Sequence, residues 1–135
     1  MGLNHSNANS NNKHILVVNN ESDIVDIIRF CLQTYGYKVC TFIDPLVALE
    51  HFKSNSKNHH IVISDATMPS MNGFEFLKQV KKINPKVKVA LTISFEIWDT
   101  RELSNVSQDV EIDAFIKKPF SPNTLIKALI QQSTK

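Results

Sequence analysis

Ile61-Val62-Ile63-Ser64-Asp65-Ala66-Thr67-Met68-Pro69-Ser70-Met71-Asn72-Gly73-Phe74 is the stretch whose reading decides the fold. A short continuous apolar run is how a strand covered on both faces reads, and this one ends on a carboxylate. The turn-forming segment after it leads into a helix. In open α/β sheets ligands bind outside the carboxyl ends of the strands, so Asp65 stands where a chemically active group belongs.

On both sides of this stretch, short apolar strands alternate with segments of helical period. Ile15 to Val18 reads as a first strand, and Ile24, Ile27, Ile28, Cys31 and Leu32 mark one face of a helix that starts near Ser22 and stops at Gly36. Val39 to Phe42 is a second strand. Asp44-Pro45 then supplies a cap and a first-turn proline for a helix with Val47, Ala48, Leu49 and Phe52 inside. After the third strand, Asn72-Gly73 opens a helix carrying Phe74, Leu77 and Val80, ended by Asn84-Pro85, and Val87 to Thr92 is a fourth strand. The stretch from Phe95 to Val110 holds Trp98 and reads as a short or irregular helix. Ala114-Phe115-Ile116 is a fifth strand, and Ser121-Pro122 caps a last helix with Leu125, Ile126, Leu129 and Ile130 inside. The expected fold is α/β: a (βα)5 doubly wound parallel five-stranded sheet, flavodoxin-like, strand order 2-1-3-4-5, with helices on both faces. A closed eight-fold barrel needs about twice the length.

The 135 residues suit one domain with a full core. A disordered Asn-rich leader is expected over residues 1–13 and the folded domain over 14–132. Met1-Gly2-Leu3-Asn4-His5-Ser6 matches a short myristoylation pattern, but one too brief to set against an unmodified leader. Fifteen basic against 13 acidic residues give a net charge of +2, too little to imply a nucleic-acid or membrane partner. With no run of roughly 20 apolar residues and no signal peptide, the expected location is the cytoplasm. Cys31 and Cys40 read as buried core thiols of a reducing compartment. His14, His51 and the His59-His60 pair lack a second ligand pair at metal spacing and suggest no zinc site. Met68 and Met71 read as gap fillers near the loop.

At the switch point of such a sheet the ends of strands one, three and five bring together Asn19-Asn20-Glu21, Asp65 and Lys117-Lys118-Pro119-Phe120. Three of these elements, Val17-Val18-Asn19-Asn20-Glu21, Asp65-x-x-Met68-Pro69-x-Met71-x-Gly73 and Lys118-Pro119-Phe120, resemble the receiver domains of two-component response regulators. The resemblance covers His14 to about Gln131. It implies that Asp65 is the phosphoacceptor for a histidine kinase or phosphotransfer protein. It also implies that Lys118 pairs with the phosphoryl oxygens, through a bond to Pro119 that is often cis in relatives, and that the backbone amides of Ala66 and Ser94 help hold the group. A carboxylate suits the role, because it attacks phosphorus without first losing a proton at pH 7. Lys118 has a plainer reading as an ion pair that satisfies a half-buried Asp65.

Two departures from the family pattern bear on function. Receivers usually carry two acidic residues where this chain has Asn19 and Asn20, and the implied metal set becomes Asn20, Asp65 and the carbonyl of Thr67. Asparagine keeps an oxygen ligand and loses the charge, so Mg²⁺ is expected to bind weakly or not at all. Glu21 is adjacent and supports the loop or acts through water. On strand four, counting without gaps from Asp65 puts Ile93 in the slot of the switch hydroxyl and Ser94 in the small-residue slot after it, which would turn Thr92 away from the site. A shift of one residue restores Thr92. Phe115 matches the aromatic switch position of strand five.

Two signalling readings follow: a stand-alone receiver that passes a phosphorylation signal to a downstream protein target, or a pseudo-receiver that binds its partner without phosphate. An enzyme is not expected. A haloacid-dehalogenase-like phosphatase needs a second Asp where Thr67 stands, and a flavodoxin relative needs a hydroxyl- and Gly-rich loop after strand one.

Overall fold

The structure, a computed structural model, describes residues 13–94 and 110–133. Residues 1–12 of the leader expected over 1–13, and residues 95–109 of the stretch expected as a short or irregular helix from Phe95 to Val110, Trp98 among them, lie outside the described residues. Five parallel strands, β1 (His14–Val18), β2 (Lys38–Phe42), β3 (Ile61–Asp65), β4 (Lys88–Ile93) and β5 (Ala114–Lys117), form one sheet in the order β2-β1-β3-β4-β5. Four α-helices are described: α1 (Ser22–Thr34), α2 (Pro45–Asn55), α3 (Gly73–Ile83) and α4 (Pro122–Ser133). This is the doubly wound architecture expected from the alternation. The pleat sends Ile15, Val17, Ile61 and Ile63 to the face covered by α1 and α4, and Leu16, Val18, Val62 and Leu91 to the face covered by α2 and α3.

Capping sets the helix ends. Asp44 accepts a hydrogen bond from the amide of Leu46 (2.9 Å), and Asn72 accepts one from Glu75 (2.9 Å), so each helix satisfies one orphan donor of its first turn. Gly36, at φ 94°, takes the left-handed turn after α1.

The helical stripes are narrower than the sequence implied. On α1 the buried residues are Val25, Ile28 and Leu32, while Ile27 lies 58% exposed. At 100° per residue Ile27 falls outside the arc that those three define. Val47 on α2 and Ile130 on α4 are likewise exposed rather than inside. Cys31 and Cys40 are half-buried, not core. Met68 is buried and Met71 packs beside it, as gap filling requires.

His59, just before β3, is 8% exposed, and its Nδ1 has no hydrogen-bond partner. Burial first, and then the neighbouring His51, His14 and His60, push its pKa down to about 4. His60 is also lowered, by burial and by Lys13 and His14. Between about pH 4 and 6.5 the unfolded chain therefore binds a proton that the folded chain refuses. Stability is expected to be flat above neutrality and to fall on acidification, by about 2 kcal/mol at pH 5 from His59 alone. Urea midpoints of the parent and His59→Gln at pH 7 and pH 5, with chelator present, check this. Equal pH dependence of the two proteins would refute it.

Candidate functional site

Asp65 closes β3, and its backbone pairs in register with Thr92 of β4. Paired residues of adjacent parallel strands share a face, so both side chains point toward the α1 side and Ile93 points the other way. Thr92 Oγ1 donates to Asp65 Oδ1 at 2.9 Å, and the Lys118 ammonium forms an ion pair with the same oxygen. Asp65 and Thr92 are buried, and the Lys118 side chain is 36% exposed, so the carboxylate meets solvent chiefly along the lysine.

This geometry corrects the assignment of Ile93 to the hydroxyl slot. Ile93 is buried in the apolar layer under α2 and α3, and Thr92 is the residue that reaches Asp65. The ungapped count fails because the chain between β3 and β4 is free to differ in length by a residue, whereas the pleat is not free to change parity. Phe115 is half-buried and packs against that apolar layer.

The loops are held by backbone bonds. Ala66 N–H donates to the Thr92 carbonyl (2.8 Å), and Lys118 N–H donates to the Ile93 carbonyl (2.8 Å). The Lys118–Pro119 peptide is cis. Gly73 N–H donates to the Ala66 carbonyl (2.8 Å), which seats the first turn of α3 on the loop after Asp65. Ser94 lines a groove of about 540 Å³ with Glu21, Ile24, Ile27, Lys118 and Phe120. The groove runs from the lysine to the exposed apolar side of α1.

Asn19 is buried, and its Oδ1 accepts from the Glu21 amide at 2.9 Å, a turn-forming role. Asn20, Glu21 and Thr67 are exposed. By atom type this set suits a hard cation: one carboxylate from Asp65, the amide oxygen of Asn20 and a backbone carbonyl. It carries a single negative charge, and Lys118 already pairs with that one.

The geometry defines a class: a buried carboxylate at the end of the middle strand of a doubly wound sheet, with a lysine and a hydroxyl converging on it. The comparisons agree. The sequence matches the response regulator receiver domain family over residues 15–130, and the chain belongs to that family. It is 31% identical over 114 residues to the response regulator SaeR of Staphylococcus aureus, a match that covers 84% of this chain and 47% of that protein. The chain thus spans about half the length of the curated relatives it matches. Among solved structures, a receiver domain protein of Clostridium thermocellum superposes with TM-score 0.81 at 27% identity, covering 90% of this chain and 94% of that one. The chemotaxis protein CheY4 of Vibrio cholerae gives TM-score 0.77 at 29% identity, with 88% and 97% covered.

The sequence points to Asp65 and Lys118 and leaves Ile93 and Thr92 as alternatives for the hydroxyl slot. The signal that would have placed Thr92 was strand parity relative to Asp65. The sequence reading also passed over the contact between His51 and His59, whose partners lie on different elements.

Proposed function

We infer that this chain is a receiver that accepts a phosphoryl group on Asp65 from a histidine kinase or phosphotransfer protein and relays the change to a protein target. The convergence of Thr92 and Lys118 on Asp65 Oδ1 carries this reading. With Oδ1 held, Oδ2 attacks phosphorus, the bond from phosphorus to the donor nitrogen breaks, and an acyl phosphate forms without prior loss of a proton from the acid. Lys118 then pairs with the new phosphoryl oxygens, Thr92 Oγ1 is released from the carboxylate to follow them, and the Ala66 and Ser94 amides complete the cradle. Mg²⁺, when bound by Asp65, Asn20 and the Thr67 carbonyl, supplies charge neutralisation at the phosphoryl oxygens. Its affinity is weak because Asn20 is neutral. Among the described residues no helix is long and apolar enough to cross a membrane.

A phosphate-independent binding role is favoured by one observation: Lys118 and Thr92 already satisfy the acid in a pocket without a second carboxylate. Incubation with high Mg²⁺ and acetyl phosphate or beryllofluoride, read by intact mass or fluorine NMR, separates the two. The expected result is one adduct in the parent and none in Asp65→Asn. Parent and variant both unmodified at high Mg²⁺ would leave only the binding role.

A further inference from the structure

At the end of the sheet opposite Asp65, about 20 Å away along β3 at the rise of a strand, lies a cavity of about 420 Å³ that the receiver chemistry does not use. His14, His51, His59 and His60 line it, with Lys57 and Asn58 from the 3-10 turn Ser56–Asn58 between α2 and β3. No carboxylate stands among the described residues that line it. Hydrogen bonds fix where the ring protons sit. The backbone amide of His14 donates to His60 Nδ1 at 3.0 Å, so the neutral His60 ring carries its proton on Nε2. The Asn55 side-chain nitrogen donates to the His51 carbonyl at 2.9 Å and lies 3.4 Å from His51 Nδ1, which makes that ring nitrogen an acceptor and Nε2 the donor. His51 Nε2 then donates to His59 Nε2 at 3.0 Å, and the one proton left to His59 sits on Nδ1, buried without a partner. This order of donation leaves the cluster with spare donors and no anion to receive them.

A cavity that offers an ammonium, imidazole N–H groups and an amide, with no acid beside them, is the complement of an oxyanion. We propose that this cavity binds a tetrahedral oxyanion of the phosphate class, free or carried on a small organic molecule, with Lys57, His60 Nε2–H and the Asn58 amide as its donors. The volume is within the roughly 300–1,000 Å³ of small-molecule pockets. The rings of His51 and His59, packed on Phe42 and Phe52, give the wall an aromatic surface for an organic group. Electrostatics add a pH dependence. The titratable and charged groups around His59 and His60 are His51 from α2, Lys13 and His14 from the entry of β1, Lys57 from the turn and the Cys40 thiol from β2. Burial first, and then these cationic neighbours, lower both imidazoles. A bound anion offsets the neighbours, so binding favours the protonated rings and tightens as the pH falls.

Sulfate is the probe for that dependence, because it stays doubly charged between pH 6 and pH 8. In the full chain at constant ionic strength, sulfate is expected to shift the ring resonances of His14, His59 and His60 saturably, with affinity about threefold or more tighter at pH 6 than at pH 8. Lys57→Gln and His60→Gln, both at exposed positions that the fold does not bury, are each expected to weaken sulfate about threefold, and the double variant about tenfold. Phosphate and phenyl phosphate, compared at pH 8, identify the source: tighter phenyl phosphate assigns the remaining volume to an organic group, and equal affinity assigns the site to the free ion. Histidine resonances that do not move saturably up to about 50 mM sulfate overturn the proposal. So does undiminished affinity in the double variant, or a response at Thr92 and Ser94 in place of the histidines, since the anion then sits elsewhere. None of these readouts uses a phosphoryl donor, so they stand or fall apart from the chemistry of Asp65.

Discussion

Gly73→Ala is expected to lose about 3 kcal/mol of stability and roughly 10 °C in melting temperature, an effect out of proportion to one methyl group. The reason is where the methyl would go. A Cβ on residue 73 would be driven into the carbonyl oxygen of Asp65 and would lie 2.8 Å from Leu91 Cδ1 and 2.9 Å from Ala66 Cα. Two of these three obstacles are backbone of the site loop itself. The side chain of Leu91 sits in the close-packed layer under α3 and has little room to yield. Relief must come from lifting α3 off the loop, which breaks the bond from Gly73 N–H to the Ala66 carbonyl and moves the Ala66 amide that faces Thr92. Stability and adduct formation on Asp65 are therefore expected to fall together. Thermal melts and the beryllofluoride assay on Gly73→Ala, with Ser70→Ala at an exposed loop position as control, measure both. A Gly73→Ala protein that melts with the parent would show that the helix and the loop are not locked in this way.

That lock explains what the sequence could and could not disclose. The five strands were legible because each is a short apolar run bounded by turn or cap residues. Asp44 and Asn72 announced their helices through side chains that do accept the first-turn amides. Lys118 was legible only because it stands before Pro119 in a recognisable triplet. Its reach across β4 to Asp65 is a tertiary fact with no local signature. Helical period reports a stripe but not its edges, which is why Ile27, Val47 and Ile130 read as inside and are exposed. Thr92 and Ile93 stayed alternatives because an ungapped count carries the length of a connection into the register of a strand. Only the pairing of Asp65 with Thr92 removes that ambiguity. The contact of His51 with His59 was hidden for a different reason: eight residues and a change of element separate them, so no local period joins them.

Restoring a charge at position 20 is expected to have the largest effect on ion binding. Asn20→Asp should tighten Mg²⁺ by about thirtyfold or more. One added negative charge about 4 Å from a divalent cation is worth about 2 kcal/mol even at the dielectric of water, and more where the loop excludes solvent. Without the ion the same change works against the fold. It places a second carboxylate near Asp65, whose Oδ1 is served by Lys118 and Thr92, and neither donor is free for the newcomer without loss to the first. The variant should therefore melt below the parent in chelator and gain more from added Mg²⁺, with the lines crossing as ligand binding stabilises the folded form by mass action. Asn19→Asp makes the sharper comparison. Asn19 is buried, and its side-chain oxygen is engaged by the Glu21 amide, so a charge there mainly strengthens a turn already made and should tighten Mg²⁺ much less. Calorimetric titration of the three proteins with Mg²⁺, beside their melting curves, reads affinity and stability without any phosphoryl donor. Should Asn20→Asp bind Mg²⁺ no better than the parent, the neutral amide at position 20 would not be what weakens the pocket, and the exposed Glu21 would have to supply the missing charge in both.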